Sequence, residues 1–286
     1  MDNLKAKKRH PEEIAVYSAI YVCAAFSVLL LLGIIIYVFA KGARRVNWAF
    51  LTGVTSILHG TVGIAGNILN TLIIILLTMI ITTPIGVGAA IYLNEYAKPG
   101  KLVTVIIFAT ETLAGIPSII FGLFGMLFFG QLCHMGYSLL TGSLTLTLMV
   151  LPLVTRNTQE ALKTVPDSFR TGAVGLGAGK WYTIRIILLP SAMPGIVTGV
   201  ILAIGRIIGE SAALLFTAGS AHLLPKTFDA FLEKIFHSGG TLTIQLYLSA
   251  SKGEFEVAFG IAVVLLVIVL LINFGTKRLA KKLEKH

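Results

Sequence analysis

Apolar residues in this chain gather into long unbroken runs, and the polar positions fall between the runs. Six runs, at 14–40, 68–93, 102–129, 138–155, 191–216 and 257–275, are long enough to cross a hydrocarbon core of ~30 Å, which takes about 20 helical residues. The fourth is the shortest, and its ends are the least sharply marked. The pattern predicts an all-α integral membrane protein with six transmembrane helices. They form a single domain over 14–276, between an N-terminal segment, 1–13, and a basic tail, 277–286. The first run outlasts a signal-peptide core, which is about 7–15 residues, and reads as an uncleaved anchor.

Composition agrees with the pattern. The 286 residues are 56% hydrophobic and 13% charged, against about 25% charged in a soluble domain, and mean hydropathy is +0.88. The net charge of +10 raises nucleic acid as a partner, but the basic residues flank the apolar runs, as membrane topology requires. With the N-terminus inside, the inner segments hold Lys5, Lys7, Lys8 and Arg9, Lys98 and Lys101, then Arg156, Lys163, Arg170, Lys180 and Arg185, and the tail residues Lys277, Arg278, Lys281, Lys282 and Lys285. The outer segments hold only Lys41, Arg44, Arg45, Lys226, Lys234 and Lys252. The excess places both termini in the cytoplasm, with Lys41, Arg44 and Arg45 dissenting locally.

Enzyme chemistry finds little support. No stretch matches the phosphate-cradling Gly-x4-Gly-Lys-Ser/Thr loop, and the glycines at 172–179 fail Gly-x-Gly-x-x-Gly because Lys180 takes the last place. His10, His59, His134, His222, His237 and His286 are scattered without metal-ligand spacing, and Cys23 and Cys133 form no Cys-x-x-Cys pair. Both cysteines read as packing residues. No cofactor is expected on the chain itself.

The chemistry sits where polarity interrupts the runs. Arg206 and Glu210 lie within the fifth, where a charge costs several kcal/mol and therefore faces a partner or a watery path. Their four-residue spacing puts them on one helix face, close enough to pair. One reading is an ion pair that only holds helices together; the other is a gate or binding station for an anionic solute. Glu111 lies in the third run, one turn before Gly115-Ile116-Pro117-Ser118, the strongest helix break in the chain. Broken helices commonly mark a pathway, although an ordinary kink beside a locally bonded glutamate accounts for it equally well. Pro84 and Pro152 predict further kinks. Gly195/Gly199 and Gly205/Gly209 permit close helix contact and read as packing features.

Between the fourth and fifth runs lies a long cytoplasmic loop, 156–190. Pro166-Asp167-Ser168 offers a turn and a cap, with Asp167 or Ser168 receiving the free N–H groups of a helix over about 169–175. The glycine cluster then stops it, and 180–189 reads as a second helix leading to Pro190. The outer segment 217–256 mixes apolar and polar residues and fits either the membrane surface or an external partner.

This loop resembles the signature of permease subunits of bacterial ABC importers: Glu-Ala-Ala, three residues, Gly, nine residues, Ile-x-Leu-Pro. Gly177 is followed after nine residues by Ile187-Leu188-Leu189-Pro190, and the triplet falls on Thr171-Gly172-Ala173. Thr171 stands where the family has glutamate and Gly172 where it has the first alanine. Three stretches are similar to the phosphate-transporter permeases of the PstA type. They are Leu113-Ala114-Gly115-Ile116-Pro117-Ser118 with its continuation to Leu123, Leu151-Pro152-Leu153-Val154-Thr155-Arg156 to Leu162, and Gly205-Arg206-Ile207-Ile208-Gly209-Glu210 to Thr217.

The resemblance implies an ABC importer type I permease of MetI-like architecture in the bacterial inner membrane. It also implies a set of partners: a second permease of the PstC type, an ATPase dimer of the PstB type that uses the ATP, and an external phosphate-binding protein of the PstS type. Phe169, Arg170, Thr171, Gly172, Ala173 and Gly177 would then form the ATPase-coupling loop. Arg206, Glu210, Arg156 and Glu111 would line the substrate path. Phosphate must exchange its water for charge and hydrogen bonds to cross hydrocarbon, and arginine offers a permanently charged fork of donors. A resting Arg206–Glu210 pair would hold the arginine until an anion competes, and Arg156 at the inner mouth would receive the anion or merely set topology. Sulfate or molybdate would suit the same arginines. An ion-coupled secondary transporter is the competing class, although no repeat of two halves is evident.

Overall fold

The computed structural model describes residues 11–56, 61–225 and 227–283. Lys5, Lys7, Lys8, Arg9, His10, His59, Lys226, Lys285 and His286 lie outside the described residues. The first apolar run forms α1 (Pro11–Gly42), exposed along most of its length as a lipid-facing helix should be. After it come α2 (Trp48–Thr52), capped by Asn47, whose Oδ1 accepts the Phe50 N–H at 2.8 Å, and a hairpin of β1 (Val54–Ser56) and antiparallel β2 (Thr61–Ile64).

The second run is α3 (Ala65–Ile91), which carries Pro84 without ending and closes in a π-helical turn, Tyr92–Tyr96. The third run does not form one helix. It divides into α4 (Lys101–Gly115) and α5 (Ser118–Gly125), with a π-helical continuation to Leu132, bent by 103°. Pro117 supplies the cause, since it removes a backbone donor and forces the preceding residue out of the helical region. The fourth run extends to α6 (Leu139–Lys163), capped by Ser138 and continuous through Pro152.

In the loop, α7 (Asp167–Gly175) forms as expected and stops in a Schellman arrangement. The Ala178 N–H donates to Ala173 O, the Gly177 N–H donates to Val174 O, and Gly177 takes φ +80°, the left-handed conformation that favours glycine. Its start differs from expectation: neither Asp167 nor Ser168 caps it, and the first turn has no side-chain cap. The expected second helix, α8 (Lys180–Thr183), is not separate from the membrane span. It runs through a π-helical turn, Ile184–Leu188, straight into α9 (Leu189–Gly209), and that irregular turn directly precedes Pro190, which lacks the backbone donor of a regular helix. The fifth run then breaks at Glu210 and resumes as α10 (Ala212–Thr217).

The outer segment folds as α11 (Phe228–Glu233) and α12 (Leu242–Ser251), and the sixth run as α13 (Phe255–Leu283). The segment is built into the core: Asn67 and Asn70 of α3 both donate their side-chain N–H to Gly240 O at 2.9 Å. Around α6, the residues Leu146, Val150 and Val154 join Ile74, Ala203, Ile207 and Leu214 in the main core. A second cluster closes the α7 end, with Leu162, Val165, Ile184, Leu188 and Ile196, and a third closes the α12 end, with Phe50, Ile64, Leu242 and Ile261. Gly195 and Gly199 pack on Ala161 and Asn157 of α6, so close that a Cβ would come within 2.5 and 2.7 Å. Gly205 and Gly209 face open space instead, so among the described residues only the first small-residue pair is a helix contact.

Candidate functional site

The four charged residues expected to line a path fall into two places. Glu111 from α4 and Arg156 from α6 come together, lining a cavity of about 150 Å³ with Leu93, Ile107, Thr110, Gln159, Glu160 and Lys163. The α4 side of this cavity is loosely held, for no residue of α4 is buried. Arg156 Nε reaches Glu160 Oε1 at 3.3 Å, with both side chains about two-thirds exposed, so the contact orients the arginine at little energetic gain.

Arg206 lies elsewhere, on the exposed face of α9 with Leu202, Gly205 and Gly209. α6 and α9 run antiparallel, with Gly199 level with Asn157. Arg206 is therefore about 10 Å, two helical turns, farther from the α7 end than Arg156. No hydrogen bond or ion pair holds its guanidinium among the described residues.

The expected Arg206–Glu210 pair does not form. The i,i+4 geometry requires a continuous helix, and α9 ends at Gly209, with Glu210 in extended backbone (φ −82°, ψ 124°). The glutamate is occupied instead: its Oε1 accepts the Ala213 N–H at 3.1 Å, satisfying a free donor at the start of α10. Its backbone carbonyl accepts the Thr243 hydroxyl from α12 at 2.8 Å. The two interrupted helices meet just beyond their breaks. Gly122 of α5 lies against α10, where a Cβ would sit 2.8 Å from Ala213 Cα. Glu111 and Arg206 each precede a break by about one turn.

In the loop the expected residues separate into an exposed face and an internal tie. Phe169 is half exposed, Val174 and Leu176 more so, and Leu176 reaches 91%. Trp181, Tyr182 and Ile186 continue this apolar surface beyond α7. Ala173 is buried, while Thr171 and Gly172 are exposed. The Thr171 hydroxyl bonds back to Asp167 O at 3.2 Å, so it has neither the charge nor the free donor of an outward contact.

Arg170, expected on the coupling surface, is turned inward, where five acceptor atoms from four groups surround it. Nη2 donates to Glu95 Oε1 at 2.9 Å and to Leu162 O at 3.0 Å, while Nη1 donates to Val165 O and Asp167 Oδ1, both at 3.0 Å. Nε lies 3.3 Å from Glu95 Oε1 and 3.4 Å from its Oε2. These bonds, Glu95 first, hold the guanidinium pKa above its ordinary value. Leu162 and Val165 present carbonyls left free where α6 ends, the place where a cation also suits the helix dipole. Asp167, the expected cap, is the arginine's partner instead. Glu95 was not among the expected site residues. Its one sequence signal is isolation, as the sole acidic residue between Glu13 and Glu111.

Residues 82–286 match the family of binding-protein-dependent transport system inner membrane components. The chain is 35% identical over 273 residues to the probable ABC transporter permease protein YqgI of Bacillus subtilis, covering 92% of this chain and 93% of that one. It is 34% identical over 244 residues to the phosphate transport system permease protein PstA of Xylella fastidiosa, covering 84% and 82%. Among solved structures, it superposes on a chain of the bacterial alginate ABC transporter with a TM-score of 0.71 at 14% identity over 96% of each chain. A chain of the MetNI methionine ABC transporter gives 0.58 at 21% identity, covering 77% of this chain and 94% of that one. The fold is the MetI-like permease fold, and the chain belongs to the binding-protein-dependent transport system inner membrane component family as a multi-pass membrane permease.

Proposed function

We propose that this chain is the membrane-spanning permease subunit of an ATP-driven importer of inorganic phosphate, with both termini in the cytoplasm. The observation that carries the reading is Arg206: a guanidinium within a membrane span, unpaired among the described residues, beside two glycines that leave open space. A guanidinium facing hydrocarbon within a span is costly, so this face belongs against a solute path or a second permease. A phosphate oxyanion matches the fork of donors and offsets its charge. Relatives named as phosphate transport permeases favour this solute over other oxyanions.

Arg156, with Glu111 across the same cavity, is the second station, and Lys163 extends its positive side. ATP hydrolysis belongs to a separate ATPase dimer seated on the exposed apolar surface of Phe169, Val174 and Leu176, and the chain needs no cofactor of its own. A second, homologous permease covers α4 and the open face of α9, and an external binding protein delivers the solute.

The test is uptake into vesicles holding the complete importer, with labelled phosphate, sulfate and molybdate offered in competition. Phosphate is expected to enter only with ATP, and Arg206→Ala is expected to abolish uptake while inserting normally. Undiminished phosphate flux in Arg206→Ala, or uptake driven by an ion gradient without ATP, would reject the reading.

A further inference from the structure

Arg170 joins three elements that share no sequence neighbourhood. It sits on α7, its carbonyl partners close the end of α6, and Glu95 stands on the π-helical turn that ends α3, 75 residues away in the chain. The Glu95 side chain is 8% exposed and is steadied by Asn94, whose Nδ2 donates to Oε1 at 2.7 Å. A second contact spans the same gap, with Lys180 Nζ 4.8 Å from the centre of the Tyr96 ring. The π-helical turn has a role here, since such turns redirect side chains at the end of a helix and recur at functional sites.

We propose that Glu95 is a positioning residue of the transport cycle, fixing α7 to the end of α3 so that a push on α7 moves α3 and α6 together. This rests on the reading of α7 as the ATPase-docking helix. Thr171 offers no carboxylate on the outer surface of the loop, and the carboxylate the loop does use lies inside, beneath it. A bidentate guanidinium–carboxylate contact suits a joint, because it fixes orientation as well as distance. Removing Glu95 leaves Arg170 with Asp167 as its remaining counter-charge, an exposed partner on α7 itself, so the charged tie from α7 to the end of α3 is lost.

The experiment uses the complete importer in vesicles, with Cys23 and Cys133 replaced by serine and spin labels placed at Ser168→Cys on α7 and Gly88→Cys on α3. With Glu95 present, the distance between labels should be single and narrow both with and without ATP. In Glu95→Ala it should broaden, and labelled phosphate taken up per ATP hydrolysed should fall roughly tenfold, within the range usual for coupling between sites. Glu95→Gln keeps an acceptor oxygen and should lose less. If Glu95→Ala does not assemble, Arg170→Lys keeps the cation without the fork and should broaden the same distance. A distance as narrow as wild type in the variant, or unchanged uptake per ATP, overturns the proposal. Wild-type vesicles that keep the distance fixed and hydrolyse ATP but import no phosphate would reject the proposed solute and leave the joint standing.

Discussion

Glu210 separates two physical accounts of the most conspicuous charges in the chain. As half of an ion pair with Arg206, its value would lie in its negative charge. As the group that accepts the Ala213 N–H, its value lies in an oxygen at the right place. Glu210→Ala removes the acceptor, and loss of such a helix-start bond costs about 1 kcal/mol, within a range of roughly 0.5–2. Glu210→Gln keeps the oxygen and loses only the charge, whose interaction with a six-residue helix falls at the low end of about 0.3–1 kcal/mol. The expected order of stability is therefore wild type, glutamine, alanine, with the glutamine variant nearer to wild type. Reversible unfolding in mixed micelles measures it, and Arg206→Ala combined with Glu210→Ala completes a double-mutant cycle. The two changes should add to within about 0.5 kcal/mol. Equal losses for glutamine and alanine, with a coupling energy near 1 kcal/mol, would restore the ion pair and refute the capping account.

Two further outcomes follow from the contacts. Gly122→Ala forces a Cβ to within 2.8 Å of the α10 backbone and should lower stability by about 1–3 kcal/mol. Gly115→Ala, with nothing within 4 Å, should be near neutral; equal melting temperatures for the two variants would mean that α5 is not seated on α10. Leu176→Glu places a charge on the most exposed apolar residue of the loop and should sharply reduce recovery of the ATPase with the permease while insertion stays normal. Undiminished recovery in a pull-down would move the docking surface away from α7.

Five of the six expected spans were legible because run length alone reports them and no tertiary contact needs to be known, whereas the third run, expected as one span, is a pair of helices bent by 103°. Pro117 was legible for a similar reason, since its chemistry is local. The break at Glu210 was not. Apolar residues continue through Phe216, no proline intervenes, and the groups that stabilise the extended residue are a hydroxyl from Thr243 and a helix start not apparent from the run. The end of α7 could be read from its glycines, but its beginning could not. Asp167 has the composition of a cap, and only the fold reveals that Arg170 claims it. Glu95 shows the same limit, because an ion pair closed across 75 residues leaves no periodicity behind. What single-sequence reasoning found in the site was the inventory of charges. What it missed was their pairing, and pairing depends on backbone direction at two or three residues.

That backbone direction also bears on how a push in the loop would reach Arg206. From Lys180 to Gly209 the chain is continuous helix across 30 residues, a rod of about 45 Å. Arg206 stands three residues from its far end, and the rod ends at an extended residue rather than continuing into α10. A tilt of about 10° at the loop end would displace the far end by roughly 8 Å on this length. Glu210 can absorb that motion, because its side chain is bonded to α10 and its carbonyl to α12 while its only helical bond backwards is to Ile207. The arginine then travels with the rod, and the glutamate's carboxylate stays with α10 on α5. Labels at Gly205→Cys and Ile119→Cys should therefore change separation through the ATP cycle, while labels at Phe216→Cys and Ile119→Cys should not. If both pairs move alike, the break at Glu210 is not the hinge, and Arg206 must be exposed to its anion by some motion other than the tilting of α9.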